Sequence, residues 1–344
     1  MDLDLNEINP PKLERWMDEV GLTPGVLKVT GKLTGGTQNI MIEIEKGDTA
    51  YVLRRPGLRE SSNRDETIRR EIAVLTALAS TPVPHPEVLA WCLDPTVLGA
   101  AFYLMEKIDG FNVSLGIPEP QRSAADMRRA MAYSVIDTLG ALSKVDPSTV
   151  RLDRFGRVDG YVERQVPRWR RQFEAYSELA GYDPSELAGT EVLGDWLERN
   201  QPASYVPSLI HGDFHLANLL FDPVEPCVSA VVDWELATTG DALVDLGLLL
   251  ATWPEPSNPA AGVLNIDQMA FPPSSELIDR YADRCPRDLG DLKWYEVLAC
   301  YRMAIIIEGS YARACAGVGD AEVGMLLHTN ARLLLERART RVSC

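Results

Sequence analysis

Hydrophobic and polar positions alternate with a period of two in the first third of the chain and with helical spacing over most of the rest. Residues 26–33, 40–45 and 50–53 read as three strands, with Lys46-Gly47-Asp48 as a hairpin turn. A helix over residues 11–20 precedes them. Pro10-Pro11 suits its start, Leu13, Trp16, Met17 and Val20 share one face, and Gly21 ends it. Residues 63–78 predict a second helix, with Ile68, Leu75 and Leu78 on one stripe and Glu71 on that same stripe. A rigid, proline-rich connector over 81–86 leads to strands at 88–91 and 101–105. Past residue 110 the chain turns mostly helical. Residues 124–144 carry Met131, Val135, Ile136, Leu139 and Leu142 on a core face. Residues 193–200 and the chain from 281 onward are also helical, and 294–309 is apolar nearly all round. Residues 253–275 have many prolines and small residues and no period, which suits a loop that could close over a substrate.

Two polar clusters interrupt what would otherwise be short buried strands: His211-Gly212-Asp213 through Asn218, and Asp233-Trp234-Glu235. Phosphoryl transfer needs one carboxylate to orient the attacking hydroxyl and take its proton. It also needs a second carboxylate and an amide oxygen to hold Mg²⁺ against nucleotide phosphates. Asp213, Asn218 and Asp233 are the right types in the right order, and Asp213 to Asn218 has the D-x-x-x-x-N spacing of a kinase catalytic loop. Upstream, Thr34-Gly35-Gly36-Thr37-Gln38-Asn39 is a glycine turn able to lay backbone N–H groups over phosphates. The third strand ends in a cation, Arg54, with Arg55 as a second candidate. Glu71, a carboxylate on a buried stripe, needs a partner, and Arg54 is the natural one.

These motifs resemble the aminoglycoside phosphotransferase-type and choline kinase-like small-molecule kinases. Within that group they are most similar to the branch found fused to some acyl-CoA dehydrogenases. The resemblance covers nearly the whole chain. It implies an α+β, protein-kinase-like two-lobe fold: an N-lobe (1–109) of five antiparallel strands plus a helix, and a larger, mostly helical C-lobe (110–344). It implies transfer of the γ-phosphate of ATP (or GTP), with Mg²⁺, to a hydroxyl of a small molecule. Asp213 is then the catalytic base, and Asn218 and Asp233 are the metal ligands. Gly35, Gly36 and Thr37 cap the phosphates, Arg54 clamps them, and Glu71 holds Arg54. Backbone groups of Glu106 and Ile108 meet the adenine edge. His211 and Asp245 are expected to be structural. The acceptor stays open between a hydroxyacyl-CoA or related metabolite and an aminoglycoside, and a nucleotide-binding regulator is a further alternative.

The chain has 344 residues, 46% hydrophobic and 24% charged, enough for two lobes. A net charge of −16 argues against nonspecific binding of nucleic acid or an anionic membrane. Yet residues 164–171 hold four arginines, Arg164, Arg168, Arg170 and Arg171. They form either a solvated helix face or the entrance for an anionic acceptor. Arg302 sits in an apolar helix and either pairs with a carboxylate or reaches the acceptor. Six scattered cysteines without C-x-x-C spacing suit reduced thiols and a cytoplasmic location. No apolar stretch is long enough to span a bilayer. The expected partner is a small molecule bearing a hydroxyl, and a homodimer stays open.

Overall fold

A computed structural model describes residues 8–33, 39–57, 64–258, 260–264, 266, 267 and 271–343. The first helix, α1 (Pro10–Glu19), starts as expected. Asn9 accepts the Lys12 N–H at 3.2 Å, and proline occupies the first turn. Strands β1 (Leu27–Leu33), β2 (Asn39–Lys46), β3 (Thr49–Pro56), β4 (Val88–Cys92) and β5 (Phe102–Glu106) form one antiparallel sheet in the order β1-β2-β3-β5-β4. Helix α2 (Arg64–Leu78) and the one-turn α3 (Pro95–Leu98) complete the N-lobe.

Strand parity decides what each side of this sheet does, because successive side chains point to opposite faces. Ile42, Ile44, Tyr51, Leu53, Phe102 and Leu104 form one small core with Leu13, Trp16 and Met17 of α1. Trp16 meets Phe102 edge-on at 4.8 Å. Val52, Tyr103 and Met105 lie on the other face and join the main core with α2. Arg54 shares parity with Val52 and faces α2. Arg55 has the opposite parity and donates to the carbonyl of Leu98 in α3. Of the two candidate cations, only Arg54 faces the cleft.

The C-lobe contains α4 (Ala125–Leu142), α5 (Gln165–Tyr176), α6 (Thr190–Arg199), α7 (Leu243–Ala251), α8 (Ser274–Arg284), α9 (Leu292–Cys315) and α10 (Ala321–Ser343). The predicted face of α4 is buried. Helix α9 is apolar nearly all round because α5, α6, α7 and α10 all pack against it. Two short ribbons frame the catalytic stretch: β6 (Pro207–Ile210) with β9 (Thr238–Asp241), and β7 (Leu219–Phe221) with β8 (Val228–Val231). The loop after β6 therefore crosses from one ribbon to the other rather than closing a single hairpin. Phe111 exchanges two 2.9 Å backbone hydrogen bonds with Phe221, fastening the chain that leaves β5 to the second ribbon.

The described part of 253–275 does not have the character of a lid. Trp253 is fully buried and donates to Pro272 O at 2.8 Å. Asn258 donates to Ala251 O and Trp253 O. Glu255 accepts from the N–H and Oγ of Ser274, capping α8. Among the described residues the lack of periodicity goes with an irregular stretch anchored through Trp253, Glu255 and Asn258. Among the described residues no helix is long and apolar enough to cross a membrane.

Candidate active site

A cleft of 610 Å³ lies between the lobes, walled by Leu33, Val52, Met105 and Leu220, with Asn218 and Asp233 at one end. Arg54 is its hub. Its Nη2 donates to Glu71 Oε1 at 2.9 Å and to Asp233 Oδ1 at 2.8 Å. Its Nε lies 2.7 Å from Glu71 Oε2, and Glu235 Oε2 stands 3.6 Å from Nη2. Burial alone would lower the guanidinium pKa, but the charges of Glu71 and Asp233 outweigh it and raise it further, so Arg54 is a permanent cation. Tyr103 donates to Glu71 Oε2 at 2.8 Å, completing the acceptor side of that carboxylate. The expected pairing of a strand cation with a helix glutamate is present, and both residues are almost fully buried.

The catalytic stretch is held from below. Asp245, in the first turn of α7, accepts the N–H groups of His211 at 2.7 Å and Gly212 at 2.8 Å. Its burial pushes its pKa up to about 7 against those hydrogen bonds. Gly212 takes φ +80°, and a Cβ there would meet Leu236 O at 2.5 Å, so no other residue fits. His211 is fully buried, which lowers its pKa and keeps it neutral. Its Nδ1 accepts the Asp213 N–H at 3.2 Å, and its Nε2 donates to Val232 O at 3.0 Å. That pairing assigns the tautomer and ties the Asp213 loop to the Asp233 loop. His211 is thus a strut, as expected, and not a base.

Asp213 Oδ2 accepts from Asn218 Nδ2 at 3.0 Å and lies 3.2 Å from His215 Nε2. Its Oδ1 is 4.0 Å from Arg302 Nη2. Burial would raise its pKa. The His215 hydrogen bond and the charge of Arg302 reverse this and hold the carboxyl well below the usual range. Asp213 is therefore a carboxylate at neutral pH, partly exposed and able to orient a hydroxyl. Asp233 sits at φ +68°, a left-handed conformation that aspartate tolerates.

The donor set suits a hard divalent cation. Asn218 spends its Nδ2 on the carbonyl and the carboxylate of Asp213, which leaves Oδ1 as a free acceptor. Asp233 spends Oδ1 on Arg54, and among the described residues Oδ2 accepts nothing. The Val232 N–H donates to Asn218 O at 3.0 Å, bringing the two loops side by side. One carboxylate and one amide oxygen are the protein ligands Mg²⁺ takes when phosphates and water complete its shell. No cluster of three His, Cys, Asp or Glu side chains among the described residues forms a full metal cage.

At the far end Glu106 and Ile108 line the cleft. The Glu106 N–H is spent on Glu87 O at 2.9 Å, whereas the Ile108 N–H donates to nothing among the described residues. Gly35, Gly36 and Thr37 lie outside the described residues. Three supports escaped the sequence reading. Asn112 Nδ2 donates to Ala217 O at 2.6 Å and Leu219 O at 3.1 Å, bracing the loop that carries Asn218. Asn39 Nδ2 donates to Glu235 Oε2 at 2.9 Å, linking the N-lobe to the Asp233 loop. His215 holds Asp213. Asn39 carried a signal as the last residue of the glycine turn, and His215 a weak one, its place two residues after the base.

A family model for a phosphotransferase enzyme family matches residues 31–272. The chain belongs to that family. It is 34% identical to acyl-CoA dehydrogenase family member 11 of Gallus gallus, over 87% of this chain and 38% of that protein. It is 33% identical to the same family member of Rattus norvegicus, over 90% of this chain and 40% of that one. The phosphotransferase chain therefore spans about two fifths of the length of these curated relatives. Among solved structures, a Ralstonia eutropha protein assigned as an aminoglycoside phosphotransferase superposes with a TM-score of 0.78 at 28% identity, covering 97% of this chain and 99% of that one. A thermostable mutant of an aminoglycoside phosphotransferase, solved with AMP-PNP and hygromycin B, shares the fold at TM-score 0.62 and 16% identity, covering 95% and 98%.

Proposed function

We propose that this phosphotransferase moves the γ-phosphoryl group of ATP, or of GTP, to a hydroxyl of a small molecule. The observation that carries the reading is that Arg54, Asn218 and Asp233 line one cleft, with Glu71 hydrogen-bonded to Arg54 and Asp213 hydrogen-bonded to Asn218. Asp213, held ionised by its neighbours, accepts a hydrogen bond from the acceptor hydroxyl and takes its proton as the new P–O bond forms. Arg54 is the fixed cation for the phosphates. Glu71 and Asp233 orient its guanidinium in advance, and Nη1, which neither carboxylate engages, is the donor left for a phosphate. The free oxygens of Asn218 and Asp233 would hold Mg²⁺, which neutralises phosphate charge when bound. The apolar wall of Val52, Met105 and Leu220 suits a flat purine, with the unspent Ile108 N–H at its edge. The complex of a fold relative with AMP-PNP supports a nucleotide as the phosphoryl donor.

A hydroxyacyl-CoA or related metabolite is the first reading for the acceptor, supported by the relatives that carry acyl-CoA dehydrogenase names. An aminoglycoside is the second, supported by the solved structures. The test is nucleotide consumption with Mg²⁺ across a panel of both classes, with and without EDTA. Metal-dependent turnover on one class names the acceptor. Nucleotide binding with no turnover on any acceptor would favour a regulator instead.

A further inference from the structure

The arginines of the basic helix separate by what holds them. Arg164 donates to the carbonyls of Asp159 and Arg157, stitching the start of α5. Arg170 pairs with Asp195 at 2.6 Å and Glu198 at 3.5 Å on α6. Both are structural. Arg168 is different. Its side chain, like that of Arg171, is exposed and makes no hydrogen bond or ion pair among the described residues, and no carboxylate contributes to its electrostatics. Its guanidinium lies 4.9 Å from the centroid of the Trp169 ring, and the Arg302 guanidinium lies 5.9 Å from the same ring. A single indole therefore carries two cations. Arg302 is nearly buried and donates to Gly212 O. Its nearest carboxylate is Asp213, at 4.0 Å, too far for a hydrogen bond.

The Trp169 indole is 8% exposed, and its buried Nε1–H has no acceptor. Among the described residues, the Arg168 guanidinium and the buried Trp169 Nε1–H are thus left without an anion, beside Arg302, whose own counter-charge is the candidate base Asp213. The charge of Arg302 is offset by Asp213 but that of Arg168 is not, so the two like charges repel, and a buried donor left unpaired costs free energy. Such an arrangement is stable in use when a ligand supplies the missing negative charge.

We propose that Arg168, Arg302 and Trp169 form an acceptor subsite for an anionic group, carboxylate or phosphate, borne close to the hydroxyl that is phosphorylated. This rests on the phosphotransfer reading above. Arg302 bridges the subsite to the Gly212-Asp213 backbone, so an acceptor anchored there brings its hydroxyl to Asp213. The same charges disfavour a polycationic aminoglycoside.

The test uses the full chain with Mg²⁺ and has two separate readouts. Calorimetry in the presence of a non-hydrolysable ATP analogue measures binding of 3-hydroxybutanoate, its methyl ester, glycerol phosphate and kanamycin. Nucleotide consumption then measures turnover of the same compounds with ATP. We expect at least one of the two anions to bind roughly tenfold or more tightly than the ester. Arg168→Gln weakens that anion by roughly tenfold, Arg168→Lys restores part of it, and affinity for the ATP analogue is unchanged. The tighter anion distinguishes carboxylate from phosphate. Equal binding of anions and ester overturns the subsite. So does an anion affinity untouched by Arg168→Gln, or kanamycin binding above both anions. Anion binding that depends on Arg168 without turnover upholds the subsite and counts against phosphotransfer. Turnover of the ester alone, with no anion binding, does the reverse.

Discussion

Glu71→Gln tests the buried cation most sharply, because it removes one charge and almost no volume. In the native protein the Arg54 guanidinium is divided between Glu71 at 2.7–2.9 Å and Asp233 at 2.8 Å, with Glu235 at 3.6 Å. Removing one partner of a buried ion pair costs about 3–5 kcal/mol when the remaining charge is left alone. Here Asp233 and Glu235 stay, so the loss falls to about 2–3 kcal/mol. At a urea slope of about 3 kcal/mol per M, the unfolding midpoint drops by somewhat under 1 M. The functional effect follows from geometry. Without Glu71 the guanidinium is drawn fully onto Asp233 and Glu235, taking up an oxygen needed for the metal and moving away from the phosphates. The KM for Mg-ATP rises by about tenfold or more, the equivalent of about 1.4 kcal/mol. Urea titration and initial-rate kinetics on the same preparation check both numbers. An unchanged midpoint together with an unchanged nucleotide KM refutes the claim that Glu71 positions Arg54.

Other outcomes follow from the same structure. Gly212→Ala places a Cβ 2.5 Å from Leu236 O at positive φ, and we expect a loss of at least about 2 kcal/mol and collapse of turnover, read by thermal melting and rate. His215→Ala removes a hydrogen bond that holds the Asp213 carboxyl low, so the acid limb of the pH–rate profile moves to higher pH; an unmoved limb contradicts that role. Asp245 has a raised pKa in the fold, so its ionisation disfavours folding. Its contribution is fully present below about pH 4 and falls as pH rises towards about 7, by at most about 4 kcal/mol. Asp245→Asn removes this slope from urea-derived stabilities while lowering stability below pH 4, because one of the two loop N–H groups loses its acceptor.

The N-lobe was largely legible because strand parity and helical stripes are short-range signals. The pattern of β3 and β5 and the stripe of α2 were enough to put Arg54 and Glu71 together. Choosing Arg54 over Arg55 needed only the alternation of side chains across β3, a step open to the sequence alone. The C-lobe was legible as helices, but its three- and four-residue strands could not be paired into ribbons, since so few residues carry no period. Asn112, Asn39 and Glu235 could not be matched with their partners, because their contacts join elements 105 to 196 residues apart. The basic helix was visible as a charge run. Its division into paired and unpaired arginines depends on Asp195 and Glu198 of α6, whose placement only the fold decides. For 253–275 composition alone did not decide: prolines and small residues serve as well in an anchored turn, as at the described Trp253, Glu255 and Asn258, as in a lid.

The most direct measurement is phosphoryl transfer by Asp213→Asn beside the native protein, with ATP-analogue binding measured on both. The account predicts unchanged nucleotide affinity, native stability within about 1 kcal/mol, and turnover reduced by at least roughly a hundredfold. Turnover retained in Asp213→Asn, at intact nucleotide affinity, would contradict the central claim that this carboxylate is the base.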